Sequence, residues 1–308
     1  MQNIKLRNFK EKYTWDQKAA VNPLYAVMAV DKFINKNSYM KDWKREDLKI
    51  LFRKGQKIYH YFLKPILMRS GLNYRKSFIV EYGCGIGRIL KWVKKDGYNC
   101  ASIDISEKML HYCKMLVRDI DQLYLLKNGV TKLPDNIADV VYSCAVLQHI
   151  PKLSQIESTF HEMCRILKPG GILRTQFYSF DWNDSGSVEG KRLFTHNFEN
   201  STLQIILQPK INGDNKSWIP GHTLNKIVYK HNYWVGIPLT IYKIKQLMKN
   251  NKMKIIGIDR DLGQRNFGWL TAAKFDYIYS DTVRKPSWFT HLKTLKNLDS
   301  CFSQINSF

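Results

Sequence analysis

The chain has 308 residues, enough for one large domain or a core with a smaller appendage. Its hydrophobic share of 44% suits a globular core, and no stretch approaches the ~20 consecutive apolar residues of a membrane-spanning helix. Lys and Arg outnumber Asp and Glu by 49 to 26, a formal charge of +23, yet the basic residues are dispersed. The tightest clusters, Lys41 to Arg53 and Lys243 to Lys254, form no compact block of the kind that marks a nucleic-acid footprint. The opening residues, Met1 to Lys10, lack the apolar run of a secretory signal. The six cysteines include no C-x-x-C pair, so zinc and redox motifs are unsupported and a reducing cytoplasm is the expected compartment.

Residues 1–76 read as an N-terminal helical cap. A turn at Asn22-Pro23 leads into a short helix, Ala26 to Phe33. Lys44 to Met68 is a longer helix with Leu48, Leu51, Phe52, Ile58, Tyr59 and Phe62 on one side; Gly55 weakens it, and Pro65 kinks it or starts a new turn. Residues 77–180 alternate strand and helix. Phe78-Ile79-Val80 is a buried parallel strand, followed by Glu81, by glycines at 83, 85 and 87, and by a helix ending near Asp96. A second strand ends at Asp104, and Ser106 caps a helix from Glu107 to Arg118. A third, Leu123 to Leu126, runs into Asn128-Gly129, and a fourth spans Ala138 to Val146. A helix from Lys152 to Leu167, the turn Lys168-Pro169-Gly170-Gly171 and a strand to Ser179 complete the unit.

Residues 181–236 break the alternation, with turn signals at Asn212-Gly213 and Pro220-Gly221 and a strand-like run at Leu203 to Leu207. Residues 237–280 return to it: a helix from Pro238 to Asn250, then strands Met253 to Ile258 and Phe267 to Ala273. In residues 281–308, Trp288, Leu292, Leu295, Phe302 and Ile305 fall near helical spacing, which predicts an amphipathic helix.

The strand–glycine turn–helix opening is that of a nucleotide-binding βα unit. Its spacing is G-x-G-x-G, with Arg88 where the dinucleotide fingerprint has its last glycine, and no Gly-Lys-Ser/Thr ending of a P-loop follows. An acid beside such a turn suits a ligand without phosphates and with an amino-acid end, whose ammonium Glu81 would face. Asp104 stands where a ribose-binding carboxylate is expected, because a carboxylate accepts from two vicinal hydroxyls at once.

The stretch Glu81-Tyr-Gly-Cys-Gly-Ile-Gly-Arg88 resembles motif I of the class I S-adenosylmethionine-dependent methyltransferases, and VVYSCAVLQHIP…FHEMCRILKPGGIL is similar to the later motifs of that superfamily, in order and spacing. The resemblance implies an α/β fold: a doubly wound, Rossmann-like seven-stranded sheet with helices on both faces and the last strand antiparallel. N-terminal helices would cover the cleft, and residues 181–236 would form an inserted substrate-specificity segment. It implies S-adenosylmethionine as cofactor and no metal. Glu81, with the turn Gly83, Cys84, Gly85 and Gly87, would hold the methionine end, and Asp104 the ribose. Ile105 would pack on the adenine, with Asn128, Gly129 and the Val130 backbone at its edge. Ser143 or Cys144 would lie under the sulfonium. His149 is the candidate general base, or else a histidine that only lines the cofactor pocket. Gln176, Tyr178, Tyr233 and Trp234, with His222 and His231, are substrate-pocket candidates.

The layout is also similar to a group of bacterial methyltransferases thought to modify saccharides or secondary metabolites. The expected function is methyl transfer to an oxygen or nitrogen of a small molecule or saccharide. Two alternatives stand beside it. One is an RNA (tRNA) methyltransferase, motivated by the charge although no RRM or KH signature is present. The other is a non-catalytic binding subunit that keeps the methyltransferase fold.

Overall fold

The computed structural model describes residues 15–28, 43–120, 122–179, 238–261 and 267–274. The strands are β1 (Phe78–Tyr82), β2 (Asn99–Asp104), β3 (Leu123–Leu125), β4 (Ala138–Ser143), β5 (Leu167–Tyr178), β6 (Met253–Arg260) and β7 (Phe267–Lys274). They form one seven-stranded sheet in the order β3-β2-β1-β4-β5-β7-β6. The first five are mutually parallel, and β7 is antiparallel to both β5 and β6. This is the doubly wound, mixed sheet that the sequence predicts. The strand order reverses at β1, where β2 leaves on one side and β4 on the other, so a crevice opens beyond the carboxyl end of β1. Register places Glu81 between Ser102 and Tyr142 at that reversal.

Helices cover both faces. On one, α7 (Leu153–Ile166) and α8 (Ile241–Asn250) bury Ile156, Phe160, Met163, Ile244, Leu247 and Met248 against Val80, Val141 and Leu173. On the other, α5 (Leu90–Lys95) and α6 (Glu107–Leu116) bury Leu90, Val93, Leu110 and Cys113 with Ile79, Cys100 and Val140. A third cluster joins the amino-terminal helices to the core. Ala19 of α1 (residues 15–21) and Leu24 and Ala26 of α2 (Pro23–Met28) pack with Leu51 and Phe52 of α3 (Arg45–Ile58) around Ile86 of the glycine turn. The short helix expected at Ala26 to Phe33 thus begins earlier, at Pro23, whose fixed φ is preorganised for a first turn. Its predicted continuation past Met28 lies outside the described residues.

The single helix expected over Lys44 to Met68 is three pieces. After α3, a π-helical turn (Tyr59–Leu63) leads into α4 (Lys64–Arg69), and the Lys64 amide bonds the Tyr59 carbonyl five residues back. Pro65 explains the interruption. Its ring clashes with the carbonyl four residues earlier and it has no N–H to give, and widening the turn before it relieves both. The Phe62 carbonyl in this turn accepts from Arg174 Nε of β5 at 3.1 Å, tying the cap to the sheet. Gly55 has a second role besides weakening the helix: a Cβ there would lie 1.9 Å from the Arg88 carbonyl oxygen. Only glycine lets α3 cross the turn after β1 this closely.

The fourth strand is shorter than the sequence predicts. It ends at Ser143, and Ala145 turns the chain with φ +59° into a 3-10 turn, Leu147–His149.

Candidate functional site

The site grows from the turn after β1. Gly83 and Gly85 take left-handed φ values of +77° and +53°. Side chains close over both: a Cβ on Gly83 would lie 2.2 Å from Val146 Cγ2, and one on Gly85 3.0 Å from Val27 Cγ1. The Gly83 and Cys84 amides donate to the Ile103 carbonyl at 2.8 and 3.0 Å, which pins the turn to β2. Asp104, at the tip of β2, completes the clamp. Its Oδ2 accepts from the Gly85 amide at 2.8 Å and its Oδ1 from the Ser106 amide at 2.9 Å. A carboxylate has about four lone-pair sites, so two of these bonds leave capacity for hydroxyls. Burial pushes the Asp104 carboxyl up to about 6, with the Ser106 and Gly85 amides opposing the rise.

Glu81 is 2% exposed and accepts from the Tyr142 hydroxyl at 2.8 Å. Burial pushes its carboxyl up to about 8, against the pull of Tyr142 and of the Arg88 guanidinium. A carboxyl in this state is mostly protonated at neutral pH, and an ammonium brought beside it favours ionisation. An enclosed acid of this kind suits the recognition of a cation.

Above the turn lies a cavity of about 560 Å³, within the ~300–1,000 Å³ usual for small-molecule sites. Of the residues singled out from sequence, Glu81, Gly83, Cys84, Gly85, Asp104, Ile105, Asn128, Gly129, Cys144 and His149 lie on its wall. Five others lie off it. Gly87 faces α6, where a Cβ would meet Val117 Cγ2 at 2.5 Å and Cys113 Sγ at 2.8 Å; it is a packing glycine. Val130 is exposed, and its backbone pairs with Lys127 at 3.0 Å in both directions. Ser143 Oγ donates to the Tyr82 carbonyl at 2.9 Å, between strands. Tyr178 packs edge-on against Phe267 in the β5–β7 pair.

Gln176 stands behind the wall. Its Oε1 accepts from the Ala145 amide at 3.1 Å, and its Nε2 donates to Asp261 Oδ2 at 2.7 Å, an oxygen that also accepts from Trp269 Nε1. Gln176 therefore holds the left-handed Ala145 turn, and that turn sets His149 on the wall. Tyr233, Trp234, His222 and His231 lie outside the described residues.

The cavity also has walls that carry no sequence signature. Trp15 of α1 meets the His149 ring edge-on at 5.1 Å, and Ala26 and Val27 of α2 cover the glycine turn. Asp16 fixes α1 in place by accepting from Ser106 Oγ at 2.5 Å. Arg88, Lys127 and Lys152 bring three cations to the lining. Among the described residues no group of three or more His, Cys, Asp or Glu side chains is placed to hold a metal, and no helix is long and apolar enough to cross a membrane.

The clamp at Asp104, the glycine turn without a phosphate-binding lysine and the enclosed Glu81 fit a nucleoside with an amino-acid arm. Comparison with known proteins agrees. A methyltransferase domain family matches residues 80–175. Bacillus subtilis YqeM, which bears a methyltransferase name, is 28% identical over 107 residues, 34% of this chain and 43% of that protein. The 2-methyl-6-phytyl-1,4-hydroquinone methyltransferase of a Synechocystis species is 31% identical over 108 residues, 34% of this chain and 32% of that protein. The matches thus span less than half the length of each of these two curated relatives. A solved S-adenosylmethionine-dependent methyltransferase from Methanosarcina mazei is 17% identical with a TM-score of 0.48, covering 70% of this chain and 99% of that one. Residues 80–175 are thus a methyltransferase domain, in the stretch whose motifs resemble those of the class I S-adenosylmethionine-dependent methyltransferases.

Proposed function

We propose that this protein moves a methyl group from S-adenosylmethionine to an oxygen or nitrogen of a small molecule or saccharide. The observation that carries the reading is the Asp104 carboxylate, locked by the Gly85 and Ser106 amides at the point where the sheet order reverses, with the cavity beside it. When bound, the cofactor supplies an electrophilic methyl on a sulfonium. What remains for the chain is to hold, align and exclude water. Glu81 faces the ammonium of the amino-acid arm and Arg88 its carboxylate. Asp104 accepts from the ribose hydroxyls, Ile105 covers one face of the adenine, and Asn128 and Gly129 meet its edge. Cys144 and Ala145 form the wall beneath the sulfonium, held from behind by Gln176.

In this reading His149, on the cavity wall, accepts the proton that an oxygen or nitrogen nucleophile must lose. Trp15 shields that ring from one side. The domain boundaries read from sequence extend the proposal: residues 181–236 carry the acceptor specificity. A cavity of about 560 Å³ favours a small acceptor over a polymer, and one relative acts, by its name, on a hydroquinone.

The test is a transfer assay with methyl-labelled S-adenosylmethionine and fractionated cell extract. Label entering the low-molecular-weight fraction is the expected outcome. Label entering tRNA alone, with binding that falls steeply with salt, would replace this acceptor class with RNA. Binding of the cofactor without transfer to any fraction would leave a binding subunit.

A further inference from the structure

The charges on the cavity wall are divided. Its two carboxylates, Glu81 and Asp104, stand at the ends of β1 and β2, in the half assigned to the cofactor. Arg88 shares that half with Glu81. The other two cations, Lys127 after β3 and Lys152 at the start of α7, have no carboxylate beside them on the wall. Lys152 is the unusual one. It is one of the lining residues, and its Nζ is closed off from solvent with no hydrogen-bond partner among the described residues. Burying an ammonium without an acceptor costs several kcal/mol by general estimates. A flexible four-carbon stem could carry such a group out to water at little cost. Holding it inside is sensible if an acceptor arrives with a ligand.

The surroundings favour an anion as well. Lys152 is the residue before the first turn of α7; no side chain caps that helix, and its first turn holds no acid. Ser154 and Ser158 of the same helix also line the wall, with the Ser158 hydroxyl donating to the Ser154 carbonyl at 2.9 Å.

We infer that the methyl acceptor carries an oxyanion, a carboxylate or a phosphate, which Lys152 binds at the α7 end of the cavity. This rests on the methyltransferase reading and narrows its substrate class. The anion end of the acceptor would be anchored at α7, which leaves the nucleophile to reach His149 and the wall beneath the sulfonium.

The test uses the full chain and the variants Lys152→Met and Lys152→Arg, titrated with S-adenosylhomocysteine and then, with that ligand saturating, with inorganic phosphate or hexanoate. Wild type should bind at least one of the two anions. Lys152→Met should weaken it by about tenfold or more, as expected for a charge-assisted hydrogen bond, and Lys152→Arg should keep most of it. Preference for phosphate or for hexanoate identifies which oxyanion the acceptor bears. Affinity for S-adenosylhomocysteine should be equal in all three proteins. Its absence in all of them would sink the cofactor reading, and the anion titrations, repeated without it, would still decide on Lys152. A second readout is independent of any ligand. Lys152→Met removes an unpaired buried charge, so its melting temperature in anion-free buffer should rise. Equal anion binding by wild type and Lys152→Met, no binding of either anion by wild type, or a lowered melting temperature would each overturn the inference.

Discussion

The two halves of the cavity are built from different materials. The half at β1 and β2 is made of backbone: left-handed glycines, amides pinned to Ile103, and a carboxylate that ties Gly85 to Ser106. The half at α1 and α7 is made of side chains: Trp15 against His149, and Lys152 with its enclosed ammonium. A ligand that must be held the same way in every turnover suits backbone, which has few alternatives. The acceptor's identity can change by replacing side chains, without disturbing the fold. In the proposed reading the first half is the cofactor's and the second the acceptor's.

The comparison can be broken most strongly at its rigid half. Replacing Asp104 by Ala with Gly85 by Val should reduce affinity for S-adenosylhomocysteine by about a hundredfold or more, since it removes charge-assisted bonds and fills the turn. Titration calorimetry reads this directly, and circular dichroism reports whether the fold survives. Next is Gly55→Ala, which drives a methyl into the Arg88 carbonyl. It should cost about 1–3 kcal/mol of stability, the range for overpacking, and weaken cofactor binding by displacing the same turn. Unchanged melting would mean that α3 does not sit on the turn as described.

The pH dependence separates the halves more gently. Glu81 and Asp104 both titrate above the ordinary carboxylate range because they are buried, at about 8 and about 6. The folded chain therefore keeps protons that the unfolded chain has already lost. Empty protein should be most stable below the unfolded carboxylate values and lose stability as pH rises through about 6 and then toward about 8. Cofactor affinity should move the opposite way over the same window, because the ammonium and the ribose hydroxyls favour ionised partners. Melting curves with and without S-adenosylhomocysteine from pH 5 to 9 would show the gap between the two widen as pH rises. The smallest effect concerns the other half: Trp15→Ala should leave S-adenosylhomocysteine affinity within about twofold and change acceptor turnover, because the ring shields His149 and one lost edge contact is worth only about 1 kcal/mol.

What could be read in the sequence follows the same division. The strand–helix alternation and the carboxylate–glycine turn were legible because period, glycine spacing and strand-end acids act locally along the chain, and the antiparallel last strand was implied by the family resemblance. Gly55 was legible only as a weak helix residue, since its true neighbour, Arg88, is 33 positions away and no local pattern announces a crossing of that kind. Gly87 belongs to the motif by spacing but serves packing against Cys113 and Val117. Gln176 has the chemistry of a pocket residue, and its hydrogen bonds to Ala145 and Asp261 place it one layer behind. Trp15 lies ahead of the first helix that the sequence predicts, and Lys152 opens the predicted helix Lys152 to Leu167; neither belongs to a motif. They reach the cavity because tertiary packing, which has no period, brings them there.

The central claim is that the Glu81–Asp104 turn is a cradle for a sulfonium nucleoside. Calorimetric titration of the full chain with S-adenosylhomocysteine at pH 7, in buffers of different ionisation enthalpy, tests it most directly. The account predicts saturable binding at one site per chain with release of a proton, as the ammonium ionises a Glu81 that is protonated in the empty protein. Absence of saturable binding, or binding that takes up a proton, would contradict it.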